Sequence, residues 1–176
     1  MPGSLDDGFV HLHTHTEYSM LDGAARVSDL FDEAHRLGMD SMAITDHGYL
    51  FGAFDFWNKA KGAGIRPILG VEAYVTPGTA RGDKTRVRCG EEHQRSDDVS
   101  GGGAYTHMTM WASNNVGWQN LTRAASLASL DSVFGKWPRF DRDLISRHSE
   151  GILATTGCPS GEVQTRLRLG QYEEAK

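Results

Sequence analysis

Residues 9–23 of this 176-residue chain read FVHLHTHTEYSMLDG, which places three alternate histidines, His11, His13 and His15, close to the acid Asp22. The sequence predicts a β-strand over residues 9–13, and side chains on a strand alternate between its two faces. The three imidazoles would then project to one side, and neutral imidazole is a common ligand for divalent metals. Solvated histidines on a polar strand face would give the same spacing, so the rest of the chain has to decide.

Short apolar runs alternate with helical patterns along the rest of the chain. Runs bounded by turn residues predict further strands at residues 41–45, 67–75, 105–112 and 151–155. Apolar residues spaced by three and four predict helices between Ser28 and Gly38, from about Leu50 to Gly62 or Gly64, and at about 115–130, 141–148 and 162–176. Ser28 is placed to cap the first of these helices, and Gly38 to end it in a left-handed conformation.

The helical spacing also predicts which side chains face the core. In the second predicted helix the inward stripe is Leu50, Phe54 and Trp57, and in the third it is Leu121, Ala124, Ala125 and Ala128. The aromatic residues of the second helix, and Trp118 in the third, are expected to pack in the core.

The alternation of strands and helices predicts an α/β fold with a parallel sheet, whose buried strands are continuous apolar runs. Residues 76–103 are dense in glycine and in charges of both signs, and we interpret them as an exposed loop insertion. A DNA contact through the basic residues of this loop is the less favoured alternative. Residues 1–8 are expected to form a flexible N-terminus.

Composition excludes several classes of protein. The net charge of −5 argues against a broad basic surface that grips duplex DNA. The sequence contains no apolar run as long as a membrane span, so we expect no membrane partner. Two cysteines, Cys89 and Cys158, are too few for a disulfide framework, which makes a reducing cytoplasm the expected location.

The remaining candidate ligands lie on the predicted strands or directly after them. Asp46 and His47 follow the second strand, Glu72 ends the third, His107 lies on the fourth, and Cys158 follows the fifth. In parallel α/β folds the carboxyl ends of the strands converge on the face that carries the active site. These positions therefore predict one shared site. Asp46 is expected to orient a histidine there, with a role as a ligand as the less favoured alternative.

Five segments of the chain resemble the polymerase and histidinol phosphatase (PHP) domain family. They are HTH at residues 13–15, YS with DG at 18–19 and 22–23, TDHG at 45–48, GVEAY at 70–74, and TGCPSG at 156–161. Supporting segments at 51–53, 97–101, 136–139 and 162–170 are similar to the PHP domains of bacterial replicative DNA polymerase III alpha subunits, of the actinobacterial type. The resemblance runs from about residue 9 to the end of the sequence.

The resemblance implies a distorted (β/α)7 barrel, of which this chain would supply the N-terminal part with about five βα units. It also implies up to three divalent metal ions (zinc, manganese or iron), held by His13, His15, Asp22, His47, Glu72, His107 and Cys158. Among these, His15, Asp22 and Glu72 are expected to act in catalysis, and Glu72 to bridge two metals through its two oxygens. The family's last ligand pair, Asp-x-His, would lie beyond residue 176, so we expect a truncated part of a longer polymerase. His11, where small PHP phosphatases commonly have Asp, is expected either to support a ligand from behind or to be structural.

The function implied by the resemblance is that of a metal-dependent phosphoesterase module that acts as a 3′→5′ proofreading exonuclease. Three dications would exceed the negative charge of Asp22, Glu72 and Cys158, and the excess would suit a phosphodiester. The implied partners are the single-stranded 3′ end of a DNA primer, the rest of the alpha subunit and, through it, the sliding clamp and other replisome subunits. Two alternatives remain: a non-catalytic, metal-stabilised docking module of the polymerase, and a small-molecule phosphatase similar to histidinol phosphatase.

Overall fold

The computed structural model describes residues 8–87 and 100–176, and within them it confirms the α/β class. Residues 1–7 and 88–99, which belong to the predicted terminus and the predicted loop, lie outside the described residues. The strands are β1 (Ser41–Ile44), β2 (Arg66–Val75), β3 (Thr106–Ala112), β4 (Val133–Phe134), β5 (Trp137–Phe140) and β6 (Ile152–Thr155). The helices are α1 (Val27–Arg36), α2 (Ala53–Ala63), α3 (Asn115–Asp131), α4 (Arg142–Arg147), α5 (Glu162–Arg168) and α6 (Tyr172–Ala175).

The strands form a mixed sheet in the order β4-β5-β2-β3-β6, with β1 paired to the first half of β2. Only the β1–β2 and β2–β5 pairs are parallel, whereas β3 runs antiparallel to both β2 and β6. The prediction of a parallel sheet is therefore wrong for β3. A parallel neighbour needs a crossover connection, usually a helix, and none was predicted between these two strands.

Residues 9–13 do not form the predicted first strand. The segment runs beside β1 and is held there by two backbone hydrogen bonds, from the Ala43 amide to the His11 carbonyl and from the Thr45 amide to the Thr14 carbonyl, both 2.9 Å long. The Thr14 amide donates to the Thr45 side-chain oxygen instead of a backbone carbonyl. Because a side-chain oxygen takes the place of a backbone carbonyl, the regular ladder of backbone hydrogen bonds that defines a strand is interrupted.

Two apolar clusters flank the sheet. One is built from alternate residues of β2 (Val71, Ala73 and Val75) and from α3 residues that include the predicted inward set Leu121, Ala124, Ala125 and Ala128, all of them buried. The other joins α1, α2 and β1, with Phe31 and Phe56 at a ring separation of 4.8 Å. Because strand side chains alternate, Glu72 on β2 projects to the face opposite Val71 and Ala73.

The predicted inward stripe is wrong for Phe54 and Trp57 of α2, whereas Leu50, which lies before the helix, packs against the first cluster as predicted. Phe54 is 75% exposed and Trp57 is 39% exposed, whereas Ala53, Phe56 and Ala60 are buried. Because α2 has apolar residues on more than one side, its spacing does not identify the face that packs against α1. Phe54 and Trp57 instead border a cavity of about 520 Å³ that also touches Trp118, which is only partly buried.

Several element ends also differ from prediction. The N-cap of α1 is Arg26, not Ser28, and the Glu17 carboxylate accepts the Val27 amide of the first turn. Gly38 follows α1 with a φ of 74°, as predicted. The closing helix is split into α5 and α6 at Gly170, whose φ of 73° breaks the helix. None of the described helices has the length and apolarity needed to cross a membrane.

Two helical glycines with opposite surroundings provide a test of the packing. A β-carbon on Gly117, in the first turn of α3, would collide with the Gly151 carbonyl, whereas one on Gly62 in α2 meets nothing within 4 Å. We expect Gly117→Ala to lower stability by about 1–3 kcal/mol through overpacking. The matched change Gly62→Ala should raise stability by about 0.5–1 kcal/mol, because alanine favours the helix. Thermal unfolding of the two variants measures both effects, and equal melting temperatures would contradict this account of α3.

Candidate metal centre

Glu72 lies at the centre of a cluster of histidines. Its side chain is 1% exposed, and each of its oxygens has its own partners. Oε1 accepts a hydrogen bond of 2.7 Å from Nδ1 of His107. Oε2 lies 3.0 Å from Nε2 of His13, 2.9 Å from Nε2 of His15 and 3.3 Å from Nδ1 of His47. The carboxylate therefore joins residues from three separate parts of the chain.

His47 reaches this cluster because the pairing of β1 with β2 continues past the end of β1. The Glu72 amide donates to the Asp46 carbonyl at 3.1 Å, and the Gly48 amide donates to the Glu72 carbonyl at 2.9 Å. These two bonds hold His47 directly beside Glu72. The Ser19 hydroxyl accepts the His47 amide at 2.9 Å and so ties the 3₁₀ turn Glu17–Ser19 to the same residue.

His107 and Cys158 come from the antiparallel part of the sheet. His107 is near the beginning of β3, which lies next to the end of β2, and Cys158 follows β6, which runs in the direction of β2. The Cys158 sulfur lies 3.5 Å from Nδ1 of His107 and accepts the Ser160 amide at 3.4 Å. A β-carbon on Gly157 would lie 2.6 Å from the His107 carbonyl oxygen, so this approach requires glycine.

Cys158 lies before the first turn of the closing helix, which begins at the predicted position. Helix α5 begins at Glu162, so the local donor to the Cys158 sulfur is a single turn amide rather than a helix end. The thiolate is the form of cysteine that binds metals.

Asp22 closes the cluster on its open side. Its carboxylate lies 2.6 Å from Nε2 of His47, and its side chain is 65% exposed. The rings of His47 and His15 are stacked, with centroids 4.1 Å apart. The seven residues that sequence analysis singled out as ligands thus form one connected set of contacts. Their roles as metal ligands stay predictions.

Asp46 has a different role from the one expected. Its carboxylate does not orient a histidine ring but accepts the amide of Thr16 at 2.7 Å and the hydroxyl of Thr16 at 2.8 Å. Both groups are buried. Asp46 therefore fixes the backbone that follows His13 and His15, which positions those histidines indirectly.

Trp111 is a positioning residue that sequence reasoning missed. Its indole nitrogen donates to the Leu12 carbonyl at 2.8 Å and so attaches the histidine segment to β3. The available signal was a tryptophan on a buried strand, since a buried indole N–H needs an acceptor. His11 is exposed and packs edge-on against Phe9, and its expected role stays a prediction.

The charges in the cluster depend on one another. Burial alone would raise the pKa of Glu72, but hydrogen bonds from His107, His13 and His15 outweigh it and hold that pKa well below its usual range. Burial would lower the pKa of His107, but Cys158 and Glu72 outweigh it and raise that pKa to about 9. For His47 burial prevails and its pKa is lowered. An ionised carboxylate is thus surrounded by groups that can carry or release a proton, as metal binding requires.

The donor atoms fit divalent metal ions. Two groups, His13 with His15 and Glu72, and His47 with Glu72 and His107, each place their ligating atoms within 4.8 Å of one another. The buried Nδ1 of His47 lies 3.3 Å from Oε2 of Glu72 but makes no hydrogen bond among the described residues. A buried polar atom without a partner is costly, and a metal ion would satisfy it. Nitrogen, oxygen and sulfur donors together suit transition metals such as zinc, manganese or iron.

Three kinds of comparison relate this chain to known proteins. The PHP domain family matches residues 11–176. The chain is 56% identical over 172 residues to DNA polymerase III subunit alpha of Mycobacterium tuberculosis, covering 98% of this chain and 14% of that protein. It is 58% identical over 167 residues to the same subunit of Mycobacterium leprae, covering 95% and 14%. A putative metal-dependent phosphoesterase structure from Bifidobacterium adolescentis aligns with a TM-score of 0.42 at 20% identity, covering 68% of this chain and 32% of that one. The chain spans about one seventh of the length of the curated relatives named here.

Proposed function

Because this chain belongs to the PHP domain family, we propose that it is the PHP module of a bacterial DNA polymerase III alpha subunit and that its histidine cluster hydrolyses phosphodiesters at the 3′ end of DNA. Identities of 56% and 58% to two mycobacterial alpha subunits support the first part. The observation that carries the second is Glu72, a buried carboxylate whose two oxygens face different histidines. Its place in the cell would be the cytoplasm, with the replication machinery.

Up to three divalent metal ions would be held by the seven clustered residues. Glu72 is suited to bridge two of them, because Oε2 faces His13, His15 and His47 while Oε1 faces His107. Cys158 would complete the His107 side. Metal ions bound here would supply Lewis acidity and lower the pKa of a water molecule.

The side chains of the cluster would position the substrate and provide charge at the site. Asp22 is exposed at the rim and is held by His47, so it can reach a group that arrives from solvent. His15 lies between His13 and His47, with ring contacts to both, and its Nε2 faces Glu72. We assign His15, Asp22 and Glu72 the direct catalytic roles, because they link the buried centre to the open side.

The partners follow from this assignment. The substrate would be the single-stranded 3′ end of a primer, and the remaining parts of the alpha subunit would be attached to this module. The sliding clamp and other replisome subunits would be reached through them. A histidinol-phosphatase-like activity is disfavoured, because the two mycobacterial relatives with more than half of their aligned residues identical are both polymerase subunits.

The substitution Asp22→Asn, made in the parent polymerase, tests the proposal. We expect digestion of a mispaired primer to fall about 10- to 100-fold, since the amide cannot replace a charged oxygen beside His47. Nucleotide incorporation should be unchanged. The matched control is Asp29→Asn on α1, an exposed acid that accepts a hydrogen bond from the Ser28 hydroxyl.

The measurement is primer digestion by gel, with co-purifying exonucleases excluded and with metal removed and restored. If Asp22→Asn digests the primer as fast as the wild type, the docking-module alternative takes the place of catalysis.

A further inference from the structure

A band of aromatic rings leads away from the His107 side of the cluster. The ring of Tyr105 lies nearly parallel to that of His107, with centroids 5.6 Å apart and planes inclined by 12°. The ring of Trp137 follows, 5.1 Å from Tyr105. We call Tyr105 and Trp137 the aromatic shelf. It begins next to a candidate metal ligand and extends outward from it.

The aromatic shelf is rigid on one side and accessible on the other. Tyr74 packs edge-on against Tyr105 at 4.6 Å and is only 8% exposed, so it supports the shelf from within. Tyr105 and Trp137 are both partly exposed, unlike the core aromatics Phe56 and Phe140, which are fully buried. Aromatic faces held in place and left partly open to solvent can bind a flat ligand without reorganisation.

Two cations flank the aromatic shelf. The Lys136 ammonium lies 5.9 Å from the centre of the Trp137 ring, and the Lys136 side chain is exposed. Arg86 donates to the Gly102 carbonyl and lies over the ring of Phe134, which pairs with Trp137 across β4 and β5. Two cations at this point contrast with the net charge of −5 of the chain.

We propose that the aromatic shelf stacks on an unpaired base near the 3′ end of a single strand of DNA, with Lys136 and Arg86 facing the strand's phosphates. The proposal rests on the proposed function and names the substrate feature that the site recognises. Aromatic rings beside cations are the arrangement by which proteins hold single strands without reading their sequence. A small phosphate ester that lacks a base would not need such a surface.

The shelf would also select which 3′ ends are removed. In a duplex the faces of the bases are covered by their neighbours, so a base has to leave the stack before it can reach the shelf. The cost of leaving is lowest for a mispaired or already single-stranded base. The aromatic shelf thereby favours mismatched ends without contacting the mismatch itself.

The experiment compares two single-stranded primers that differ only at the 3′ terminal position, which carries either a normal base or an abasic sugar. The protein is the parent polymerase in its wild-type form and as Trp137→Leu, Trp137→Phe and Tyr105→Leu. We expect the wild type to prefer the base-bearing end about 5- to 100-fold in kcat/KM, the range typical of one stacked base. Trp137→Leu and Tyr105→Leu should reduce this preference toward one, while Trp137→Phe should retain part of it.

A binding measurement separates the shelf from catalysis. Fluorescence anisotropy measures binding of the same primers in chelator, where no cleavage occurs. The wild type should bind the base-bearing primer more tightly than the abasic primer, and Trp137→Leu should lose this difference. Lys136→Ala should lower the slope of log Kd against log salt by about 0.7, the value for one phosphate contact to a single strand. The matched control is Trp57→Leu on α2, which removes a partly exposed tryptophan with its own lysine, Lys61, 4.3 Å from the ring. Trp57→Leu should leave both the kcat/KM preference and the binding preference for the base-bearing primer unchanged.

Each outcome of these measurements supports or overturns one of the two proposals. If the wild type digests both primers equally well and binds them equally, the shelf proposal is wrong while the exonuclease proposal stands. If the wild type digests neither primer but binds the base-bearing one more tightly through Trp137, the exonuclease proposal fails and the shelf remains. If Trp137→Leu keeps the full preference for the base-bearing primer, the shelf proposal is overturned. It is also overturned if circular dichroism shows that Trp137→Leu is misfolded and if Tyr105→Leu and Lys136→Ala then behave as the wild type.

Discussion

Glu72→Gln is expected to reduce metal affinity and exonuclease activity by at least about 100-fold. Partners one step removed from a metal typically contribute 10- to 100-fold, and Glu72 serves two groups of candidate ligands at once, so the losses should compound. The substituted amide keeps one oxygen, but its NH₂ group would face histidine nitrogens that donate to the carboxylate. The side chain is 1% exposed, so solvent cannot replace the lost charge.

Metal content per molecule, measured on purified parent polymerase, is the direct readout, and digestion of a mispaired primer is the second. Nucleotide incorporation should persist, because we place that activity outside this chain. Glu33→Gln provides the control, since Glu33 is exposed on α1 and pairs with Arg36. Full metal content in Glu72→Gln would contradict the central place given to this carboxylate.

The positions of the candidate ligands could be predicted from sequence, but the reason they meet could not. Sequence analysis placed them at the carboxyl ends of parallel strands. His47 follows that rule, Glu72 lies three residues before the end of β2, and His107 is near the beginning of β3. It reaches Glu72 because β3 is antiparallel to β2, which brings the start of one strand next to the end of the other. Strand direction depends on connections that a local pattern does not contain.

Short elements and amphipathic ambiguity account for most of the errors. The β4–β5 hairpin, Val133–Phe134 and Trp137–Phe140, is too short for a periodic pattern, although the intervening Gly135 is a turn signal. The spacing in α2 allows either Phe54 or Phe56 to face inward. In the structure Phe56 is buried in contact with Phe31 of α1, whereas Phe54 is exposed. By contrast, α3 has one row of small and apolar residues, and its buried face was predicted correctly.

The burial of Arg139 could not be predicted from sequence, because it depends on backbone carbonyls brought from distant parts of the chain. The side chain is fully buried on β5. Its guanidinium donates to the carbonyl oxygens of Ala104, Arg81 and Asp83 at 3.2, 2.8 and 2.5 Å. These contacts attach both described ends of the predicted loop insertion to the sheet, close to the aromatic shelf.

Arg139→Met is therefore expected to destabilise the chain by at least about 3 kcal/mol, because each acceptor left without a donor costs about 1 to 3 kcal/mol. Methionine fills much of the same space, so the loss reports the hydrogen bonds rather than a cavity. Thermal unfolding should show a melting temperature lower by roughly 6 °C or more. Arg36→Met on the surface of α1 is the matched control and should melt with the wild type, since the exposed Arg36–Glu33 pair adds little. If Arg139→Met has the same melting temperature as this control, the three carbonyls find other donors. The loop insertion would then be held by Asp141, which accepts the Arg81 amide.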